Sequence, residues 1–135
     1  MTDKVQFELV TPVKLLVSQE ADMVVVPGGE GDFGVLPGHA PLLATVRPGT
    51  VDIYEDDKVS ERVFVAGGFA EVSGERCTVL AEEALPLSEI TAEAAQERID
   101  TAQKRLDAAE TETEQEEAAR ELKAAEAMLV VAGTV

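Results

Sequence analysis

Apolar and polar residues alternate through Val5-Gln6-Phe7-Glu8-Leu9, which puts the apolar side chains on one face of an extended segment and the polar ones on the other. Short β-branched, aliphatic or aromatic runs follow at residues 13–17, 23–26, 42–46, 51–54, 63–66, 69–72 and 77–81. Pro12, Pro27-Gly28-Gly29, Pro48-Gly49, Asp56-Asp57, Gly67-Gly68 and Ser73-Gly74 separate them. Short strands punctuated this often, with no long helical window between them, predict an antiparallel β-sandwich or barrel. A parallel sheet would need crossover helices, for which these intervals leave no room.

The period changes after Pro86. Ala95, Ile99, Ala102, Leu106 and Ala109 recur at spacings of 4, 3, 4 and 3, and so do Ala118, Leu122, Ala125, Leu129 and Ala132. Each set is one face of a helix. Thr111-Glu112-Thr113-Glu114 interrupts the pattern, and Thr113 followed by Glu116 fits a capping box that opens the second helix. Pro86 disfavours helix in the residue before it, and Ser88 can cap a helix after it. The expected organisation is therefore β + α: an N-terminal antiparallel β-sandwich over residues 1–87 and a C-terminal antiparallel helical hairpin over residues 88–135. With two large aliphatic residues per stripe, the hairpin has little apolar surface to offset its ordering entropy, so a docked and a mobile hairpin both stay open.

Composition supports the division. All five aromatic residues and nine of the ten glycines lie within residues 1–74, and the rest of the chain is rich in Ala and Glu. Among 135 residues, 27 acidic against 11 basic groups give a net charge of -16, with -9 in residues 1–87 and -7 in residues 88–135. Such a balance repels phosphate backbones and anionic headgroups, which argues against nucleic acid and direct lipid contact as partners. The apolar runs fall far short of the ~20 residues that span a bilayer. Met1-Thr2-Asp3-Lys4 opens neither an apolar signal core nor an Arg-rich transit segment, so a cytoplasm-type protein is expected.

The candidate chemistry is sparse. Gly29-Glu30-Gly31-Asp32-Phe33-Gly34 matches G-x-G-x-x-G, with Asp52 near the distance of a ribose-binding acid. That motif must open a helix, yet Val35-Leu36-Pro37-Gly38 follows, and Glu30 and Asp32 would repel a pyrophosphate. The better reading is a glycine-rich loop that uses positive φ. His39, the only histidine, has no nucleophile or carboxylate in Pro37-Gly38-His39-Ala40-Pro41 to make it a general base. Cys77 reads as an inert core thiol, and one Cys with one His makes no zinc site. Glu82-Glu83 and residues 114–117 read as solvated acidic surface rather than a metal or acid/base site. No catalytic residue, cofactor or metal is expected.

The run Val24-Val25-Val26-Pro27-Gly28-Gly29-Glu30-Gly31-Asp32-Phe33-Gly34-Val35-Leu36-Pro37-Gly38-His39-Ala40-Pro41-Leu42-Leu43 resembles the signature of the ε subunit of F-type ATP synthase. Val46-Arg47-Pro48-Gly49, Val65-Ala66-Gly67-Gly68-Phe69-Ala70-Glu71-Val72 and Thr78-Val79-Leu80-Ala81-Glu82 resemble its later motifs in the same order. The resemblance implies a sandwich of about ten strands followed by a helix-turn-helix. It also implies a noncatalytic rotor subunit of the central stalk that couples the γ subunit to the c-ring of a proton-translocating synthase. In that family the loop matching residues 28–38 faces the polar loops of the ring, which makes Glu30, Asp32 and His39 candidate contacts with the c-ring or γ. Carboxylates there can pair with basic groups on a partner.

Some members also bind ATP through a motif of the type [Ile/Leu]-Asp-x-x-Arg-Ala. The matching stretch here is Leu87-Ser88-Glu89-Ile90-Thr91-Ala92, with Ser88 and Thr91 in place of the Asp and Arg, so the charged contacts are missing. The alternative function is a regulatory module whose C-terminal helices reach the alpha/beta catalytic head and inhibit ATP hydrolysis. Arg98, Lys104, Arg105, Arg120 and Lys123 are the available cations, against twelve acidic groups in residues 88–135. The expected location is the cytoplasmic face of the bacterial inner membrane, peripheral through the complex.

Overall fold

The computed structural model describes residues 4–133; Met1, Thr2 and Asp3, read above for a targeting segment, lie outside them, as do Thr134 and Val135. The chain divides into two compact units, residues 1–85 and 86–135. The first contains strands β1 (Val5–Val10), β2 (Leu15–Ala21), β3 (Met23–Gly28), β4 (Gly31–Val35), β5 (Leu42–Val46), β6 (Gly49–Glu55), β7 (Lys58–Val65), β8 (Gly68–Val72) and β9 (Arg76–Ala81). A short β10 (Ala84–Pro86) pairs with β7 at the unit's end.

The strands form one hydrogen-bonded sheet folded over on itself. One layer runs β4-β3-β6-β7-β10 and the other β5-β8-β9-β1-β2, joined where Gly28 of β3 meets Val46 of β5. Period-two alternation sends Val5, Phe7 and Leu9 of β1, Val24 and Val26 of β3, Val51 and Ile53 of β6, and Cys77, Val79 and Ala81 of β9 into a common core. A fully buried Val, Leu, Ile or Phe side chain contributes ~1.5–3 kcal/mol, so this alternation is the main source of the sandwich's stability. Burial pushes the Cys77 thiol up to about 12.

β1–β2, β3–β4, β3–β5, β3–β6, β5–β8, β6–β7 and β8–β9 pair antiparallel, whereas β1 and β9 run parallel from Gln6 beside Arg76 to Val10 beside Leu80. The crossover that parallel neighbours require is present after all, because the seven strands between them supply it. Three strand positions also differ from the pattern-based expectation. Val13 sits in the β1–β2 turn, 89% exposed, and β2 runs on through Ser18, Gln19 and Glu20 because they pair with Glu8, Phe7 and Gln6. β7 starts five residues earlier than its apolar run, its polar half zipped to β6 beyond the Asp56-Asp57 turn.

Both turn residues have positive φ, 52° and 64°, as a two-residue hairpin of this hand requires. Asp22 Oδ2 accepts from the Asp56 N–H at 2.6 Å, and Lys4 Nζ lies 3.1 Å from Asp22 and 2.9 Å from Glu55. The Asp56 N–H, followed by Lys4, holds the Asp22 carboxyl below its ordinary 3.8.

In the second unit a 3-10 turn at Leu87–Glu89 precedes α1 (Ala92–Ala108) and α2 (Glu112–Ala132). The caps are Thr91 and Thr111, not Ser88 and Thr113. Thr91 Oγ1 accepts from Ala94 N, and Thr111 Oγ1 accepts from Glu114 N while Glu114 Oε2 accepts from Glu110 N. The cap thus falls two residues before the expected one, because Glu112 and Thr113 are themselves good enough in a first turn. α1 and α2 pack together, with Ala102, Ala118 and Ala125 buried and Arg105 paired with Glu121. Met128 and Val131 are buried on α2, one position ahead of the expected Leu129 and Ala132.

Thr111→Ala is expected to cost the hairpin about 1 kcal/mol, and Thr113→Ala under ~0.5 kcal/mol, measured by thermal loss of helical circular dichroism. Cys77 is expected to resist a maleimide in the folded chain at mildly alkaline pH and to react fully in denaturant.

Candidate functional site

The glycine-rich segment is a β-hairpin rather than a loop. β3 and β4 pair from Val24 beside Val35 to Gly28 beside Gly31, leaving Gly29 and Glu30 as the turn. The strand was hidden because Gly31 and Gly34 have no side chain to mark the alternation, which only Phe33 and Val35 carry. Within residues 28–38 only Gly31 (139°) and Gly38 (84°) have positive φ. Gly29 is constrained by space instead, since a Cβ there would lie 2.4 Å from Thr45 Oγ1.

The turn is tied to the adjoining layer by several bonds. Gly29 N donates to Thr45 O, and Arg47 N donates to Pro27 O, both at 2.9 Å. The Arg47 guanidinium donates through Nη1 to Gly28 O and through Nη2 to Asp32 Oδ1, each at 2.5 Å. Glu30 stands exposed at the tip. Asp32 is exposed as well, but its carboxylate is engaged by Arg47. Of the three candidate residues, the structure therefore brings Glu30 and Asp32 onto one hairpin.

His39 lies elsewhere, in the connection from β4 to β5. Its N–H donates to Leu36 O at 3.1 Å, its Nδ1 donates to Ala40 O at 2.7 Å, and the neighbouring Gly38 N donates to Gly74 O at 2.7 Å. The acceptors are all backbone carbonyls, which suits a half-buried turn histidine.

Sequence reasoning missed two features near the turn. One is Arg47, which was visible only as part of a motif. The other is an apolar row on the outer face of the second layer, set by register: Thr45 beside Phe69, Phe69 beside Leu80, Leu80 beside Val10, and Val10 beside Leu15. Phe69 and Leu80 are 53% and 47% exposed and, with Val10, Thr11, Pro12 and Gly68, line a groove of about 330 Å³. Leu43 adds to this face. The available signal was that Phe69, Leu80 and Val10 occupy alternate positions expected to face water.

On the first layer, Asp52 of β6 stands between Val25 and Arg62. Its Oδ1 is buried and accepts no hydrogen bond; Arg62 Nε is 3.6 Å away, too far for one. Desolvation raises the Asp52 pKa above its ordinary 3.8, opposed by Arg62 and assisted by the Asp32 charge. Among the described residues no cluster of three or more His, Cys, Asp or Glu could hold a metal ion, and no helix is long and apolar enough to cross a membrane.

Residues 4–87 match the family model described as the β-sandwich domain of the ATP synthase Delta/Epsilon chain. The chain belongs to this family. Over 93 residues it is 68% identical to the ATP synthase epsilon chain of Paramagnetospirillum magneticum, covering 69% of this chain and 70% of that one. Over 92 residues it is 65% identical to the epsilon chain of Rhodospirillum centenum, covering 67% of this chain and 63% of that one. The fold resembles a chain in the Euglena gracilis mitochondrial ATP synthase structure containing OSCP, F1 and the c-ring, with TM-score 0.77, 22% identity, and coverage of 96% of this chain and 82% of that one. It also resembles a chain in the central stalk and c-ring structure from Tetrahymena thermophila mitochondria, with TM-score 0.70, 15% identity and coverage of 97% and 99%. In this delta/epsilon chain, Thr91 of the Leu87–Ala92 stretch is used as the α1 cap.

Asp52 gives a signed pH dependence. Between 3.8 and its raised folded value the native state holds the extra proton, so its contribution to stability falls as pH rises through that interval. Asp52→Asn is expected to flatten this decline in urea denaturation series above pH 3.8.

Proposed function

We propose that the chain is a noncatalytic rotor subunit in the central stalk of a proton-translocating F-type ATP synthase, where it couples the γ subunit to the c-ring during ATP synthesis. The family match over residues 4–87 carries this reading. The two solved structures that share the fold, one of them a central stalk with its c-ring, support it. The fold fits the task, because torque must pass through a rigid body and two β layers around one close-packed core deform little. Glu30 and His39 offer polar groups to the ring or γ, and the acidic turn suits basic groups there. The place of work is peripheral to the membrane, held through the complex on the cytoplasmic face of a bacterial inner membrane.

We assign the division of labour to residues 1–87 for assembly and 88–135 for modulation. A regulatory reading of the second part is favoured by the helical pair itself, whose buried face is largely alanine and so is weakly anchored by apolar area. In that role the helices would reach the alpha/beta head.

Removal of residues 88–135 is expected to leave γ and ring capture within about twofold. Gly68→Val, whose Cβ would lie 2.0 Å from Leu80 O, is expected to abolish capture. Loss of capture on removing only the helices would overturn the assembly reading. ATP hydrolysis by the reconstituted complex decides the regulatory one: unchanged turnover without the helices counts against it.

A further inference from the structure

The outer half of the β3–β4 hairpin has no pairing with β6. β3 pairs with β6 only from Met23 to Val25, and β4 pairs only with β3. Beyond Val25 the hairpin leaves β6, and a two-stranded ribbon with no further neighbour would be of marginal stability. What secures it comes from residues 45–47: the Gly28–Val46 bridge, the backbone bonds of Thr45 and Arg47, and the Arg47 side chain.

We infer that Arg47 is the positioning residue for Glu30, its guanidinium bonding Gly28 O and Asp32 together so that the turn presents the Glu30 carboxylate in one orientation to a basic partner surface. The fork of the guanidinium matches this use, since it reaches the two strands of the hairpin at once with parallel donors. Gly28 immediately precedes the turn and Asp32 follows it by one residue beyond Gly31, so both ends are held from the same point. Asp32 is accordingly part of the brace. Without the brace, the carboxylate at the tip must be ordered when the partner binds, and that ordering weakens association.

The inference rests on the rotor-subunit reading for its partner, and two measurements separate the two. The first is amide hydrogen exchange of the free full-length chain. Arg47→Gln is expected to accelerate exchange at Gly29 about tenfold while Phe7 and Val79 in the core keep their rates, and Arg47→Lys, which keeps the cation but not the fork, is expected to recover only a minor part of the protection. Unchanged exchange at Gly29 overturns the brace.

The second is capture of the isolated c-ring with γ. Glu30→Gln and Arg47→Gln are each expected to weaken it about fivefold, and the double variant to be no weaker than Glu30→Gln alone, because Arg47 acts through Glu30. Additive losses, or full capture by Arg47→Gln beside weakened capture by Glu30→Gln, overturn the positioning role. If the unaltered chain captures no ring, the rotor reading fails while the exchange measurement still decides the brace.

Discussion

The change of partner along β3 is the constraint on which the sandwich depends. Its first residues pair with β6 in one layer, and its last, Gly28, pairs with Val46 in the other. A strand that serves two layers must pass through a place where backbones approach closely. At Gly28 an added Cβ would meet Gly31 O at 2.6 Å, and at Gly29 it would meet Thr45 Oγ1 at 2.4 Å. The same glycines that permit the fold-over bring the acidic turn to the junction, where Arg47 can reach it. Architecture and candidate contact site thus have a common origin in a few residues around Pro27.

Where burial dictates side-chain identity, the fold was legible. Val5, Phe7 and Leu9 alternate because one face of β1 is core, and the 4-3-4-3 stripes appear because each helix has one covered face. Legibility fails where the partner, not the local pattern, defines the element. Ser18, Gln19 and Glu20 carry no apolar run, yet extended β1 beside them makes them a strand. Gly31 and Gly34 carry no pattern at all, so β4 is visible only through its pairing with β3. The helix caps slipped for a different reason: Thr111 and Thr113 are equally competent acceptors in sequence, and only the backbone shows which one precedes the first turn.

The candidate site divides along the same line. Glu30 at a hairpin tip could be anticipated from a Gly-Glu-Gly sequence, but the engagement of Asp32 could not, because Arg47 lies fifteen residues away. The apolar row is a similar case: Phe69, Leu80 and Val10 belong to three strands and become neighbours only through register. Charge follows suit, since a net -16 reads as bulk solubility until individual groups are placed. Asp22 fixes a turn, Asp32 engages Arg47, Asp52 is half-starved of hydrogen bonds, and Glu30 stands exposed at the hairpin tip.

The parallel pairing of β1 with β9 has a consequence for how the protein is made. Among the described strands β1 waits longest for its second neighbour, since Gln6 meets Arg76 and Val10 meets Leu80. At ~5–20 residues per second of synthesis, the β1–β2 pair spends several seconds with one edge open before β9 emerges. Contacts this distant in sequence also make for slow closure. The polar residues on the outward side of β1, Gln6 and Glu8, face water throughout that interval, and Glu8 acquires Arg76 as its ion partner only when the sheet closes. The topology of the sandwich thus leaves one edge of β1 unpaired until β9 has been made.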